Sequence, residues 1–117
     1  MMTRFIVFLT MILMTSILTV QAQAEITILT DIAYVSTGDE RQKLDLYLPT
    51  DAREDGYPVL FLVHGGAFFA GDKDEVSEIA RRYAEKGYAV VAPNYRLAPD
   101  VMFPASHGDA FCAMAWT

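Results

Sequence analysis

The chain has 117 residues and a formal net charge of −6, from 15 acidic and 9 basic side chains. This length allows one small domain with a single modest core, and a hydrophobic content of 53% is too high for a disordered chain. The acidic balance argues against nucleic acid or an anionic membrane surface as a partner, because both are polyanions. The single cysteine, Cys112, excludes an internal disulfide and a cysteine-rich zinc cluster.

The first 24 residues have the three parts of a secretory signal peptide. Arg4 is the only early charge, Phe5 to Val20 is an apolar run, and the small residues Ala22 and Ala24 precede the expected cleavage point. An uncleaved membrane anchor is the alternative, but the run is shorter than the roughly 20 residues that a spanning helix needs. We therefore expect a mature domain from residue 25 to 117 that is secreted or periplasmic and leaves the membrane after cleavage.

Four segments of the mature chain are predicted strands. Glu25 to Val35 is rich in β-branched residues, and Lys43 to Leu48 alternates strictly, which predicts a half-buried strand antiparallel to the first. Val59 to Val63 is apolar without alternation and is predicted to be covered on both faces, and Tyr88 to Ala92 is a second run of this type.

Helical periodicity occupies the stretch between the last two strands. Either Asp72 or Asp74 can cap the start of this helix, and Gly87 follows its end. Strand, helix and strand form a βαβ unit, which crosses over right-handedly. The inward stripe is Val76, Ile79, Ala80, Tyr83 and Ala84. Another helix begins at Pro104, with an inner side predicted from Ala110, Phe111, Met114 and Ala115.

Several runs of this sequence resemble the carboxylesterases and lipases of the α/β-hydrolase fold, of the hormone-sensitive-lipase-like and bacterial feruloyl- and acetyl-esterase-like branches. The resemblance covers nearly all of the mature chain, from about Ile26 onward. The runs are Leu62-Val63-His64-Gly65-Gly66-Ala67-Phe68, Ala92-Pro93-Asn94-Tyr95-Arg96-Leu97-Ala98-Pro99, Phe103-Pro104-Ala105 with Asp109 and Trp116, Leu44-Asp45-Leu46-Tyr47-Leu48-Pro49, and Gly71-Asp72-Lys73. This resemblance implies that the chain forms the N-terminal part of an α/β-hydrolase fold. In this part an antiparallel strand pair leads into a parallel βαβ unit, and the fold is incomplete.

The resemblance implies hydrolysis of a carboxylic ester, either of a small molecule or linked to a carbohydrate, by a serine mechanism without a cofactor. The glycine-rich run then supplies the oxyanion hole, with the amides of Gly66 and Ala67 as donors and Gly65 making the bend. Many members have a third glycine where this chain has Ala67. Alanine keeps the N–H donor, and we expect the hole to survive if the φ angle of Ala67 is negative.

Five further polar residues are expected to support this loop. Since the base follows the nucleophile in this fold, His64 is predicted to shape the loop by hydrogen bonding to backbone. Asn94, Tyr95 and Arg96 follow a central strand, where they either brace the rim of the active site or form a polar turn network. In the second case Arg96 pairs with a carboxylate such as Asp109.

The remaining candidates point less clearly to chemistry. His107 is expected to be exposed at the start of a helix and Cys112 to be buried, and their spacing does not suit a metal site. Phe68, Phe69 and Phe103 either line an acyl or alcohol pocket or belong to ordinary packing.

The mature chain has three serines, and none lies in the strand-to-helix elbow that the mechanism requires. Ser106 comes nearest, in Pro104-Ala105-Ser106-His107-Gly108, but it follows a loop rather than a strand. The resemblance places the elbow after Trp116, so we expect a chain that ends before its catalytic serine, is inactive alone and has an unpaired apolar sheet edge.

Two other functions stay open. One is a non-catalytic hydrolase-like binding module, and the other is a peptidase of the prolyl-oligopeptidase-like type. The run from Asn94 to Pro99 favours the esterases over the peptidases.

Overall fold

A computed structural model describes residues 24–117, so the predicted signal peptide lies almost entirely outside the described residues. The strands are β1 (Ile26–Ala33), β2 (Lys43–Pro49), β3 (Val59–Phe61) and β4 (Ala89–Pro93), in the sheet order β1-β2-β4-β3. β2 is antiparallel to both β1 and β4, and β3 is parallel to β4. The predicted antiparallel pair and βαβ unit are therefore confirmed.

Two α-helices accompany the sheet: α1 (Ser77–Ala84) and α2 (Ala105–Trp116). A short 3₁₀ turn, Lys73–Val76, precedes α1. Of the two candidate caps, Asp72 is the one used, because its Oδ1 accepts a hydrogen bond of 3.1 Å from the Asp74 amide. Within residues 24–117, no helix is long and apolar enough to cross a membrane.

Side chains pack on both faces of the sheet. The α1 side holds Tyr47, Ala80, Ala84, Val90 and Ala92, and the α2 side holds Tyr34, Leu44, Val91 and Ala113. The expectation that β2 is half-buried is wrong, since both Leu44 and Tyr47 are buried. The strand lies between β1 and β4, and it has buried residues on both faces, although Leu46 and Leu48 remain partly exposed.

The prediction that the third strand is covered on both faces is also wrong. β3 pairs only with β4 among the described residues and lies at the sheet edge. Val59 and Val63 are 57% and 42% exposed as a result. The continuous apolar run correctly indicated a strand, but the run alone does not say whether a neighbour covers it.

The inner face of α2 differs from the predicted one. Its buried residues are Ser106, Asp109 and Ala113, whereas Phe111 is 70% exposed. Polar contacts of the Asp109 carboxylate with Arg96 and Gln42 hold this face against the sheet. Cys112 is exposed, contrary to the prediction that it is buried, because it lies outside the face that these contacts select.

Candidate active site

The glycine loop, residues 64–71, leads from the end of β3 toward the turn before α1. Three consecutive residues of this loop have positive φ angles: Gly66 at 117°, Ala67 at 52° and Phe68 at 67°. The negative φ at Ala67, which was the condition set from the sequence for the oxyanion hole to survive, is therefore not found. The Ala67 N–H is retained in this conformation, and whether it is free to donate depends on its hydrogen bonds. A left-handed conformation costs a non-glycine residue about 1–2 kcal/mol, because Cβ approaches the following carbonyl oxygen. A glycine at this position would avoid that cost, because it has no Cβ.

The amides at the tip of this loop are unpaired. Among residues 24–117, no hydrogen bond engages the amides of Gly66, Ala67 or Phe68. The loop is closed instead through carbonyl groups, since the amides of Phe69 and Ala70 donate to Gly66 O at 3.0 and 3.1 Å. Two donors proposed from sequence are therefore available to an external acceptor.

A cleft of about 260 Å³ lies beside Ala67, between the glycine loop and the segment that leads into α2. Phe68, Phe69 and Phe103 all line it, so these three side chains lie in one cleft. The exposed His107 ring packs between two of them, with ring centroids 4.8 Å from Phe68 and 5.1 Å from Phe103. The other lining residues are Ala67, Ala98, Val101, Met102 and Ser106. A largely apolar cleft next to free amides is suited to an acyl or alcohol group.

His64 and Tyr95 brace the base of the glycine loop. His64 is only 3% exposed, and its Nδ1–H donates to Gly65 O at 2.7 Å, which is the backbone contact expected from sequence. The two rings stack with centroids 4.4 Å apart, and the Tyr95 hydroxyl donates to His64 O at 3.1 Å. Burial raises the pKa of this hydroxyl, so it remains a donor. His64 Nε2 is buried and has no partner among the described residues.

Arg96 and Asp109 form the pair that the polar turn network predicts. Arg96 Nε and Nη2 each lie 2.8 Å from a carboxylate oxygen of Asp109, a bidentate arrangement, and the Arg96 amide donates to the same carboxylate at 3.0 Å. Burial raises the pKa of the Asp109 carboxyl, but the hydrogen bonds from Arg96 and Gln42 outweigh burial and hold this pKa below its usual value. The pair therefore fixes the start of α2 to the end of β4.

Asn94 belongs to a second polar network, formed with Asp72 and Lys73, rather than to the cleft. Its Oδ1 accepts from the Lys73 amide at 2.7 Å, and its Nδ2 donates to Asp72 Oδ2 at 2.8 Å. Its side chain therefore ties the end of β4 to the end of the glycine loop.

Sequence reasoning assigned no role to four charged residues near the end of this loop: Arg41, Lys73, Asp45 and Asp31. Arg41 reaches the loop from the turn between β1 and β2, and Lys73 Nζ lies 2.9 Å from the buried Asp45 carboxylate and 3.1 Å from Asp31. Burial lowers the pKa of Lys73, but hydrogen bonds to Asp45 and Asp31 outweigh it and raise this pKa above its usual value. The sequence did hold a signal for Asp45, because a carboxylate between the leucines of a predicted strand is unusual and indicates a paired, buried charge.

No described serine occupies a strand-to-helix elbow. Ser36 lies between β1 and β2, Ser77 opens α1, and Ser106 lies in the first turn of α2 with its hydroxyl donating to Arg96 O at 2.6 Å. Residues 24–117 also hold no group of three or more His, Cys, Asp or Glu side chains placed to bind a metal.

Comparison with known proteins gives consistent relatives. The chain is 42% identical over 76 residues to a probable isoprenylcysteine alpha-carbonyl methylesterase of rice, covering 61% of this chain and 18% of the relative. It is 38% identical over 72 residues to a carboxylesterase of Mycobacterium tuberculosis, covering 61% and 22%. The structure of esterase B from Lactobacillus rhamnosis superposes with a TM-score of 0.74 at 32% identity, covering 82% of this chain and 30% of that one.

The chain thus spans less than a third of the length of these relatives, and its mixed sheet corresponds to part of their α/β-hydrolase fold. The BD-FAE family model matches residues 44–117, from the start of β2 through α2. Because this match includes the glycine loop and most of the described sheet, the chain belongs to the BD-FAE family.

Proposed function

We propose that this chain is the oxyanion-binding part of a carboxylic ester hydrolase. Attack on an ester carbonyl produces a tetrahedral intermediate whose oxygen carries negative charge, and fixed donors 2.7–3.1 Å from that oxygen stabilise it. The unpaired amides of Gly66 and Ala67 beside an apolar cleft support this role. The esterases among the relatives support the ester as the substrate class.

The proposal assigns no nucleophile to residues 24–117. Each of the three serines there lies in a turn or a helix, and the Ser106 hydroxyl is engaged with a backbone carbonyl. The loop would act on an intermediate formed by a serine supplied elsewhere in the complete gene product. The chain by itself should therefore show neither a burst of p-nitrophenol from p-nitrophenyl butyrate nor labelling by a tributyrin phosphonate, the inhibitor named with esterase B of Lactobacillus rhamnosis.

The decisive experiment removes one donor atom. In the complete gene product, lactic acid in place of Ala67 converts the amide to an ester and deletes the N–H. We expect kcat for p-nitrophenyl butyrate to fall about 100- to 1000-fold with little change in KM, the typical effect of losing one oxyanion donor.

The control is the same replacement at Ala52, an exposed loop residue whose amide makes no hydrogen bond to residues 24–117. Equal effects at both positions would contradict the oxyanion role of Ala67. A complete gene product without an elbow serine would instead favour the non-catalytic binding module.

A further inference from the structure

Arg41 joins three separate parts of the molecule. It lies in the turn between β1 and β2, and each of the three nitrogens of its guanidinium donates one hydrogen bond. Nε donates to Tyr95 O at 3.2 Å, Nη1 to Asp72 Oδ2 at 3.0 Å and Nη2 to Gly71 O at 2.8 Å. None of the sequence motifs assigned a role to this residue.

These acceptors lie on the two supports of the glycine loop. Tyr95 supports the first half of the loop through its ring and its hydroxyl. Gly71 and Asp72 form the other end, where the loop turns toward α1. Arg41 therefore sets the distance between the two supports, and the tip of the loop lies between them.

The tip needs such a constraint. Ala67 and Phe68 have left-handed backbone conformations. Non-glycine residues keep such conformations only where the surrounding structure holds them in place. The contacts that close the tip, from Phe69 and Ala70 to Gly66 O, are local and would survive a shift of the whole loop. One long-range bond reaches the tip directly, since the Ala98 amide donates to Phe68 O at 2.8 Å. The other long-range ties act at the two ends of the loop and run through Tyr95, Asn94 and Arg41.

We propose that Arg41 is a positioning residue for the glycine loop, acting through Tyr95, Gly71 and Asp72 to aim the amides of Gly66 and Ala67 into the cleft. This inference rests on the proposed oxyanion function for its consequence in catalysis. A lysine cannot replace the arginine, because one ammonium nitrogen does not reproduce three donors in a planar fork.

The test compares Arg41→Lys and Arg41→Gln with the unchanged protein by hydrogen exchange in the complete gene product. The Ala98 amide, which donates to Phe68 O at 2.8 Å, reports displacement of the loop tip, and that of Glu85, which donates to Arg81 O at the end of α1, reports the fold. We expect exchange at Ala98 to accelerate at least tenfold in both variants, with exchange at Glu85 unchanged. In the same samples kcat should fall at least tenfold while KM stays within about twofold.

The matched control is Arg82→Gln, which removes an exposed arginine paired with Glu78 on α1 and should leave the loop unchanged. Recovery of normal exchange and kcat in Arg41→Lys would overturn the inference, since charge alone would then suffice. Acceleration at Glu85 in both variants would also overturn it, because Arg41 would then support the whole fold. Loop exchange requires no ester hydrolysis, so this measurement tests Arg41 even where the lactic acid experiment at Ala67 fails.

Discussion

At the scale of single residues, backbone strain in the glycine loop falls on Ala67, one of the two proposed oxyanion donors. Ala67 has a φ of 52° and carries a Cβ that this region disfavours. Strain of this kind persists at functional sites because the surrounding structure determines the backbone. Ala67 has the same backbone N–H donor that a glycine would have. Its left-handed conformation instead lowers the stability of the folded chain.

Ala67→Gly is therefore expected to stabilise the chain. Removing the Cβ relieves about 1–2 kcal/mol, and the greater freedom of glycine in the unfolded state offsets about 0.4–1 kcal/mol of that. Urea unfolding should give a net gain between about 0 and 1.6 kcal/mol in the free energy of unfolding. The control, Ala52→Gly in an exposed loop whose φ is not positive, should lower it. Equal losses in the two variants would show that Ala67 is unstrained.

The sequence predicted contacts of single residues where both partners lay in one recognisable motif or in adjacent ones. His64 with Gly65, and Arg96 with Asp109, are separated by 1 and 13 positions. Lys73 and Asp45 are separated by 28 positions, and Arg41 and Tyr95 by 54. These long-range pairs depend on how the strands are ordered in the sheet, which no local pattern specifies.

At the scale of elements, α2 shows why apolar periodicity predicted the helix but not its buried face. Apolar residues occur all round α2, so periodicity alone leaves several faces possible. The bidentate contact of Asp109 with Arg96 selects one face and leaves Phe111 in solvent. A buried, paired carboxylate therefore outweighs a larger aromatic side chain in orienting this helix.

The Asp109 carboxylate also makes the docking of α2 dependent on pH. Its pKa in the folded chain lies below the usual value. The stability it contributes is thus fully present above the unfolded pKa of about 3.9 and is lost as pH falls through the lower folded pKa. We expect the free energy of unfolding to fall between about pH 5 and pH 2, and the fall to be smaller in Asp109→Asn.

At pH 7 that variant should also be less stable by about 2 kcal/mol, the scale of hydrogen bonds to a charged group. Urea unfolding at a series of pH values checks both effects. Asp51→Asn is the matched control, because Asp51 pairs with Arg53 at the surface and both side chains are largely exposed. The same loss of pH dependence in both variants would argue against a specific contribution from Asp109.

At the scale of the whole molecule, the sheet order explains which predictions about burial succeeded. β2 and β4 are central and buried on both faces, whereas β3 lies at an edge. A continuous apolar run predicted β3 as a strand, yet burial requires a neighbouring strand, and no described residue provides one beyond β3. The fold class and an unpaired apolar edge were thus predictable from the resemblance, while the exposure of β3 itself required the topology.

The edge formed by β3 should make this chain associate with itself. The segment from Val59 to Val63 carries no charge, proline or bulge of the kind that protects natural sheet edges. Val59 is 57% exposed, so Val59→Lys places a charge on the edge without removing a core side chain. Sedimentation velocity should show association of the unchanged chain that increases with concentration and is reduced in Val59→Lys.

Ile79→Lys provides the comparison. The prediction that Ile79 faces inward is wrong, since it is 44% exposed on α1, and it is distant in sequence from the edge strand. It adds the same charge and removes a similar amount of exposed apolar surface, so general solubility should change equally in the two variants. Association that is lost only in Val59→Lys would locate the contact at the β3 edge, because an unpaired strand presents its free N–H and C=O groups there. An equal loss of association in both variants would indicate nonspecific hydrophobic contact. The β3 edge would then not pair with a second copy of the chain.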